Sequence, residues 1–96
     1  MRNTFLVSYD ITADRRRTKV FKKLRGYGDH IQYSVFLCDL TRRERVKLEG
    51  EVTGLINCRE DQLLIVDLGP AQGRGEKTIK WIGVPLLRSP VACKVL

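Results

Sequence analysis

Three short apolar runs, Thr4–Tyr9 (TFLVSY), Asp29–Leu40 (DHIQYSVFLCDL) and Gln62–Leu68 (QLLIVDL), are separated by two stretches whose apolar residues recur at helical spacing. This order constrains the fold more than any other feature, because a period of two specifies a strand and a period of 3.6 a helix. In the first run Phe5, Val7 and Tyr9 share one face while Leu6, Ser8 and Asp10 share the other. Apolar residues stand on both faces, as in a central strand. Arg17, Val20, Phe21 and Leu24 then form one stripe and Gly26 and Gly28 a stop, which predicts a helix over about residues 13 to 26. The middle run is twelve residues long, more than the ~5–6 of one strand. It predicts two strands around a tight break near Gln32 to Ser34, or one bent strand. Thr41, Arg42, Arg43 and Glu44 have capping-box spacing. With Leu48, Val52, Leu55 and Ile56 they predict a second helix over about 42 to 56, despite Gly50 and Gly54.

Gly69 and Pro70 end the third run, Ala71–Lys77 is a loop, and Thr78–Ile82 has the pattern of one more short strand. The order β-α-β-β-α-β, plus that extra C-terminal strand, predicts an α+β ferredoxin-like sandwich with both helices on one face of an antiparallel sheet. The domain spans 1–82 and an apolar tail follows over 83–96. The other sheet face, bearing Leu6, is left uncovered, and a chain this short buries a modest share of its surface. Both the face and the tail from Val84 call for a partner, so a homodimer is expected, with the tail packed on the other copy. The first ten residues are too short an apolar run for a secretory signal or a membrane span. Cys38, Cys58 and Cys93 form no C-x-x-C pair and read as reduced, mostly buried thiols. A cytoplasmic protein is expected.

Charge narrows the choice of partner. Lys and Arg total 18 against 11 Asp and Glu, a net charge of +7, which favours a polyanion, with nucleic acid ahead of membrane. Arg15, Arg16, Arg17, Lys19, Lys22, Lys23 and Arg25 crowd the first helix. Of these, Arg15, Arg16, Lys19 and Lys23 are candidate phosphate contacts, joined by Arg42 and Arg43 at the start of the second helix. A solvated helix face is the alternative for both groups. Asp10 stands where the first strand gives way to the first helix, an edge at which a rigid strand holds a side chain in solvent. Either it caps that helix, or two copies across a two-fold axis hold a magnesium ion, which takes one or two carboxylates with waters and phosphate oxygens. Arg17 lies on the inward stripe at the end nearest Asp10 and is a candidate clamp for a phosphate there. Ser34 and Phe36 project to one side of an extended segment; the first is a candidate hydrogen-bond donor, the second a base-stacking or core residue. His30 has the character of a solvated turn histidine. The glycine-rich loop 69–77 lacks the G-x-x-x-x-G-K-[ST] spacing of a phosphate loop and reads as a flexible turn.

Tyr9-Asp10-Ile11, Asp14, Arg17, Tyr27-Gly28 and Gln32 to Phe36, in this order and spacing, resemble the CRISPR-associated protein 2 family, the small partner of the CRISPR integrase. The likeness covers nearly the whole chain. It implies a ferredoxin-like homodimer, a magnesium ion between paired Asp10 residues, and a part in capturing new CRISPR spacers. By that likeness Asp10 is the metal ligand, with Tyr9, Arg17, Ser34 and Phe36 as its neighbours. On an enzyme reading of the residues Asp10 and Arg17 are the catalytic pair, Arg17 stabilising the charge that builds on phosphorus. Metal-dependent cleavage of single-stranded RNA or of DNA is attributed to some members, and a non-catalytic, duplex-DNA-binding bridge for the integrase to others. Two departures stand out: Leu37 and Cys38 follow the S-V-F triplet where many members carry Glu, and His30 stands where some members carry a basic Arg. An RNA-recognition motif on the same fold would need an aromatic signature that Gln32 to Leu37 lacks.

Overall fold

The computed structural model describes residues 1–72 and 79–84. Six elements follow in order: β1 (Asn3–Asp10), α1 (Asp14–Arg25), β2 (Asp29–Gln32), β3 (Val35–Leu40), α2 (Arg42–Thr53) and β4 (Gln62–Pro70). The strands form one sheet in the order β2-β3-β1-β4, and every neighbouring pair is antiparallel. This is the βαββαβ arrangement that the run order predicts, with the long middle run resolved into two strands around Tyr33 and Ser34.

The core lies between the sheet and the helices. Phe5, Val7 and Tyr9 of β1, Phe36, Cys38 and Leu40 of β3, Val20 and Leu24 of α1, and Leu48 and Val52 of α2 are all buried. Each helix contributes two residues four apart, one stripe toward the sheet. In α1 Lys22, Lys23 and Arg25 in the last turn suit the helix dipole, whereas the first turn sets Arg15, Arg16 and Arg17 against the one carboxylate of Asp14. Burial raises the Cys38 thiol to about 12, so it is a core residue and not a nucleophile. Cys58, by contrast, is exposed, against the expectation of buried thiols; Cys93 lies outside the described residues.

The capping box forms as spaced. The Glu44 amide donates to Thr41 Oγ1 at 3.1 Å and the Thr41 amide to Glu44 Oε1 at 2.9 Å. The helix it starts is shorter than the periodicity predicts. It stops at Thr53 with Gly54 as C-cap, because two glycines in five residues weaken the last turn. Leu55 and Ile56 still pack against the core, so their hydrophobic spacing marks the core and not the helix. Gly28 is required for a different reason: a Cβ there would meet the Leu37 carbonyl oxygen at 2.2 Å and Cys38 Sγ at 2.6 Å. The close approach seats the α1–β2 connection against β3.

The opposite sheet face has no helix over it. Leu6 pairs with Leu37 and Val66, and Ser8 with Val35 and Leu64, so these rows line the open side. Among the described residues Ile79–Ile82 pairs with no strand; Thr78, residues 73–77 of the predicted loop and residues 85–96 of the tail lie outside them. No described helix is long and apolar enough to cross a membrane.

Candidate functional site

The C-terminal end of β1, the loop that follows it, the first turns of α1 and the β2–β3 turn converge at one end of the sheet. The Tyr9 amide donates to the Ser34 carbonyl at 3.1 Å, which fixes the turn beside the strand end. Arg17 Nη1 donates to the carbonyls of Ile11 at 2.8 Å and Thr12 at 3.2 Å, and Nη2 pairs with Asp14. Arg17 therefore braces the β1–α1 loop and holds its charge at the strand end. A cleft of about 280 Å³ opens there, lined by Tyr9, Arg17, Thr18, Phe21, Tyr33 and Ser34. Burial raises the Tyr9 hydroxyl pKa, and the Arg17 guanidinium partly opposes that shift.

Three of the expected site residues, Tyr9, Arg17 and Ser34, thus meet in one cleft. Asp10 does not join them. It is exposed, pairs with Gln62 of β4, and by strand alternation belongs to the open face with Leu6 and Ser8. Nor does it cap α1: Ala13 holds the N-cap position with no side-chain hydrogen bond. Asp10 is free of that structural duty. The described residues contain no group of three or more His, Cys, Asp or Glu placed to hold a metal ion, so one copy offers one strand-end carboxylate. A hard oxygen donor of this kind suits magnesium, whose coordination shell is largely water and phosphate, and a second copy facing the same side would double the charge.

Phe36 is fully buried and cannot stack on a base from its place in the fold. Its ring lies 6.4 Å from Tyr9 and 5.6 Å from Phe21, and it stacks on His30 at 4.8 Å. His30 is not the solvated histidine that its sequence context suggests. Its ring also meets Phe21 edge-on at 4.8 Å, and Nε2 lies 2.7 Å from the Tyr33 carbonyl oxygen. These aromatic residues form the floor beneath the β2–β3 turn.

The basic residues divide into two kinds. Arg15, Lys19, Arg42 and Arg43 are exposed, whereas Arg16 is engaged: Nε donates to Asp61 Oδ2 at 2.7 Å and Nη2 reaches Glu60 at 3.0 Å. Asp61 is buried, and the Arg16 guanidinium holds its carboxyl below the usual range. Arg16, one of the expected phosphate contacts, thus ties α1 to the start of β4. Lys23 lies 3.9 Å from Glu51. Lys19, Lys22, Lys23 and Lys47 line a groove of about 670 Å³ between the helices, with Glu44 and Glu51 among them. Tyr27 donates to Glu51 at 2.6 Å, and burial with that carboxylate pushes the phenol up to about 12. Lys22 and Lys47 escaped notice as partners in one groove, since facing helices are not visible in linear spacing. Tyr33 lies within the Gln32–Phe36 segment but is not singled out there by spacing. Its position directly before Ser34, in the predicted break, was the available signal.

The sequence model described as CRISPR associated protein Cas2 matches residues 3–74. The chain is 40% identical over 94 residues to a protein of Geobacter sulfurreducens named CRISPR-associated endoribonuclease Cas2, covering 95% of this chain and 98% of that one. Among solved structures, a hypothetical protein from Thermus thermophilus superposes with a TM-score of 0.76 at 32% identity, covering 91% of this chain and 98% of that one. Streptococcus pyogenes Cas2 at pH 6.5 superposes with a TM-score of 0.73 at 27% identity, covering 83% and 99%.

Proposed function

The chain belongs to the CRISPR-associated Cas2 family, and on that premise we propose that it is a CRISPR adaptation protein of the cytoplasm, acting as a homodimeric, magnesium-dependent endonuclease beside the CRISPR integrase. The observation that carries this reading is the placement of Asp10. It is an exposed carboxylate at the end of β1, outside any helix cap, on the sheet face that also bears half-covered Leu6 and exposed Leu64 and Val66. Two copies meeting through that apolar face bring their Asp10 residues to a common axis.

Paired Asp10 carboxylates would hold the magnesium ion, which when bound supplies charge to polarise a phosphodiester and lowers the pKa of a bound water. The remaining work falls to the chain. Arg17, fixed by Ile11 and Thr12, keeps a cation at the same strand end, in the cleft on the other face. There it draws in an adjoining phosphate and adds positive potential for the charge that develops at the Asp10 site. Ser34 offers a hydroxyl on a turn anchored through its own carbonyl. Arg15, Lys19, Arg42 and Arg43 provide non-specific attraction along the backbone, through counterion release.

Asp10→Asn separates this reading from that of a non-catalytic duplex-binding bridge. The amide keeps the shape and removes the charge that holds a hard cation. Cleavage of RNA and DNA should require magnesium and be abolished by Asp10→Asn, while duplex affinity stays within twofold. Equal cleavage with Asn at position 10 refutes the assignment. Duplex binding by both forms, with cleavage by neither, would establish the bridge.

A further inference from the structure

Tyr33 stands 95% exposed at the tip of the β2–β3 turn. A lone exposed aromatic needs no explanation on its own. Here the main chain is held at Tyr33 and at the residue after it. The Tyr33 carbonyl oxygen lies 2.7 Å from His30 Nε2, and the next carbonyl, of Ser34, accepts from the Tyr9 amide at 3.1 Å. His30 is in turn wedged against Phe36 and Phe21, each with ring centroids 4.8 Å away. The fold therefore presents a bare aromatic ring from a braced turn while four other aromatic rings are packed below it.

The ring also borders the cleft that contains Arg17, Thr18 and Ser34. Two hydroxyls and a fixed guanidinium suit a phosphate and a sugar; an exposed phenol suits the flat face of a base. We propose that Tyr33 is the base-stacking residue of this site, so that the cleft takes one unpaired nucleotide with its phosphate toward Arg17. In a duplex the base faces are already stacked on their neighbours, so a ring at a turn tip reaches only a base that is unpaired. The duplex is held elsewhere, by the exposed cations of the two helices. The inference rests on the proposed nuclease site for its purpose, but stacking can be read without any cleavage.

The probe is a single-stranded oligonucleotide carrying one 2-aminopurine, in RNA and in DNA form, added to the full chain and to its Tyr33→Phe and Tyr33→Ala variants. The side chain is almost wholly in solvent, so neither variant disturbs packing. Stacking on the wild type should quench the 2-aminopurine, and Phe should retain the quench. Ala should lose it and weaken single-strand affinity by roughly five- to a hundredfold, the span of base–aromatic stacking. Duplex affinity should be unchanged within twofold in both variants. The contrast between RNA and DNA reports how far the hydroxyls read the sugar. Loss of the quench in the Ala variant, in a protein that cuts nothing, would uphold the stacking residue and remove the nuclease reading. A quench and affinity unchanged by Ala, with cleavage intact, would overturn the stacking residue and leave the nuclease. An equal loss of duplex affinity would also overturn it, since Tyr33 would then not distinguish paired from unpaired bases.

Discussion

The two faces of β1 meet different surroundings from the same eight residues. On one side Phe5, Val7 and Tyr9 are 4%, 0% and 6% exposed, closed over by Val20, Leu24, Leu48 and Val52 from the helices. On the other, Leu6 and Ser8 are half-buried, and the cross-strand residues Val66 and Leu64 on β4 stand 38% and 53% exposed. One face is completed by the helices; on the other the chain covers the Thr4 end, where Leu37, Ile79 and Trp81 line a shared cavity, and leaves Leu64 and Val66 exposed. The difference assigns separate tasks to the two faces. Folding depends on the first; the second carries the Asp10 carboxylate and is the face on which the proposed dimer would form.

The sharpest contrast comes from removing one large side chain on each side. Phe36 is fully buried among Tyr9, Phe21 and His30, so Phe36→Ala should cost ~3–5 kcal/mol in urea unfolding. For a domain whose total stability is ~5–15 kcal/mol, that approaches loss of the fold. Leu64→Ala should cost little in dilute protein and more as concentration rises, because its burial requires a second copy. A concentration-independent cost at position 64 would show that the open face is finished within the chain.

A smaller perturbation tests the open face alone. Leu64→Lys with Val66→Lys places two desolvation penalties in any interface formed there and leaves the helix-covered core intact. The double variant should sediment at one chain mass where the wild type sediments at two, with an unchanged far-ultraviolet circular dichroism spectrum. A dimer that survives both lysines would have to use another surface, and the case for paired Asp10 residues would go with it.

Much of this division was legible in the sequence, and the reasons for the rest are physical. Alternation alone separates Phe5, Val7 and Tyr9 from Leu6, Ser8 and Asp10, and capping-box spacing marks the start of α2 to the residue. Periodicity overran its end, because Leu55 and Ile56 keep their apolar spacing toward the core after Gly54 has stopped the helix. The site was legible as a set of residue types and less so as a geometry. Tyr9, Arg17 and Ser34 converge, but Asp10 falls on the far side of the sheet, a consequence of the alternation already used for the core. Arg16 could not be told from Arg15 by spacing, since its partners Glu60 and Asp61 lie 44 and 45 residues away. His30 and Phe36 became an aromatic floor only once β2 was paired with β3.

That ion pair gives the last and smallest test of the contrast, for it is where charge and not apolar area secures the covered side. Asp61 accepts from Arg16, and from the Asn57 amide at 2.8 Å, just before β4 begins at Gln62. The Arg16 guanidinium, followed by the Asn57 amide, holds its folded pKa below the ordinary value. A depressed carboxylate contributes stability that is fully present above its unfolded pKa of ~3.9 and is lost as pH falls through the folded pKa. Asp61→Asn should therefore lower the thermal midpoint by a constant amount from neutral pH down to pH ~4, and the gap to wild type should close on further acidification. Glu44 and Glu51 are also held low and steepen both acid limbs alike, so only the difference between the two curves isolates Asp61. A gap that persisted unchanged to the acid limit would assign its contribution to shape and neutral hydrogen bonding instead of to its charge. The same substitution should leave the dimer mass unaltered, because Asp61 and Arg16 join the first helix to the sheet on the side that the chain completes for itself.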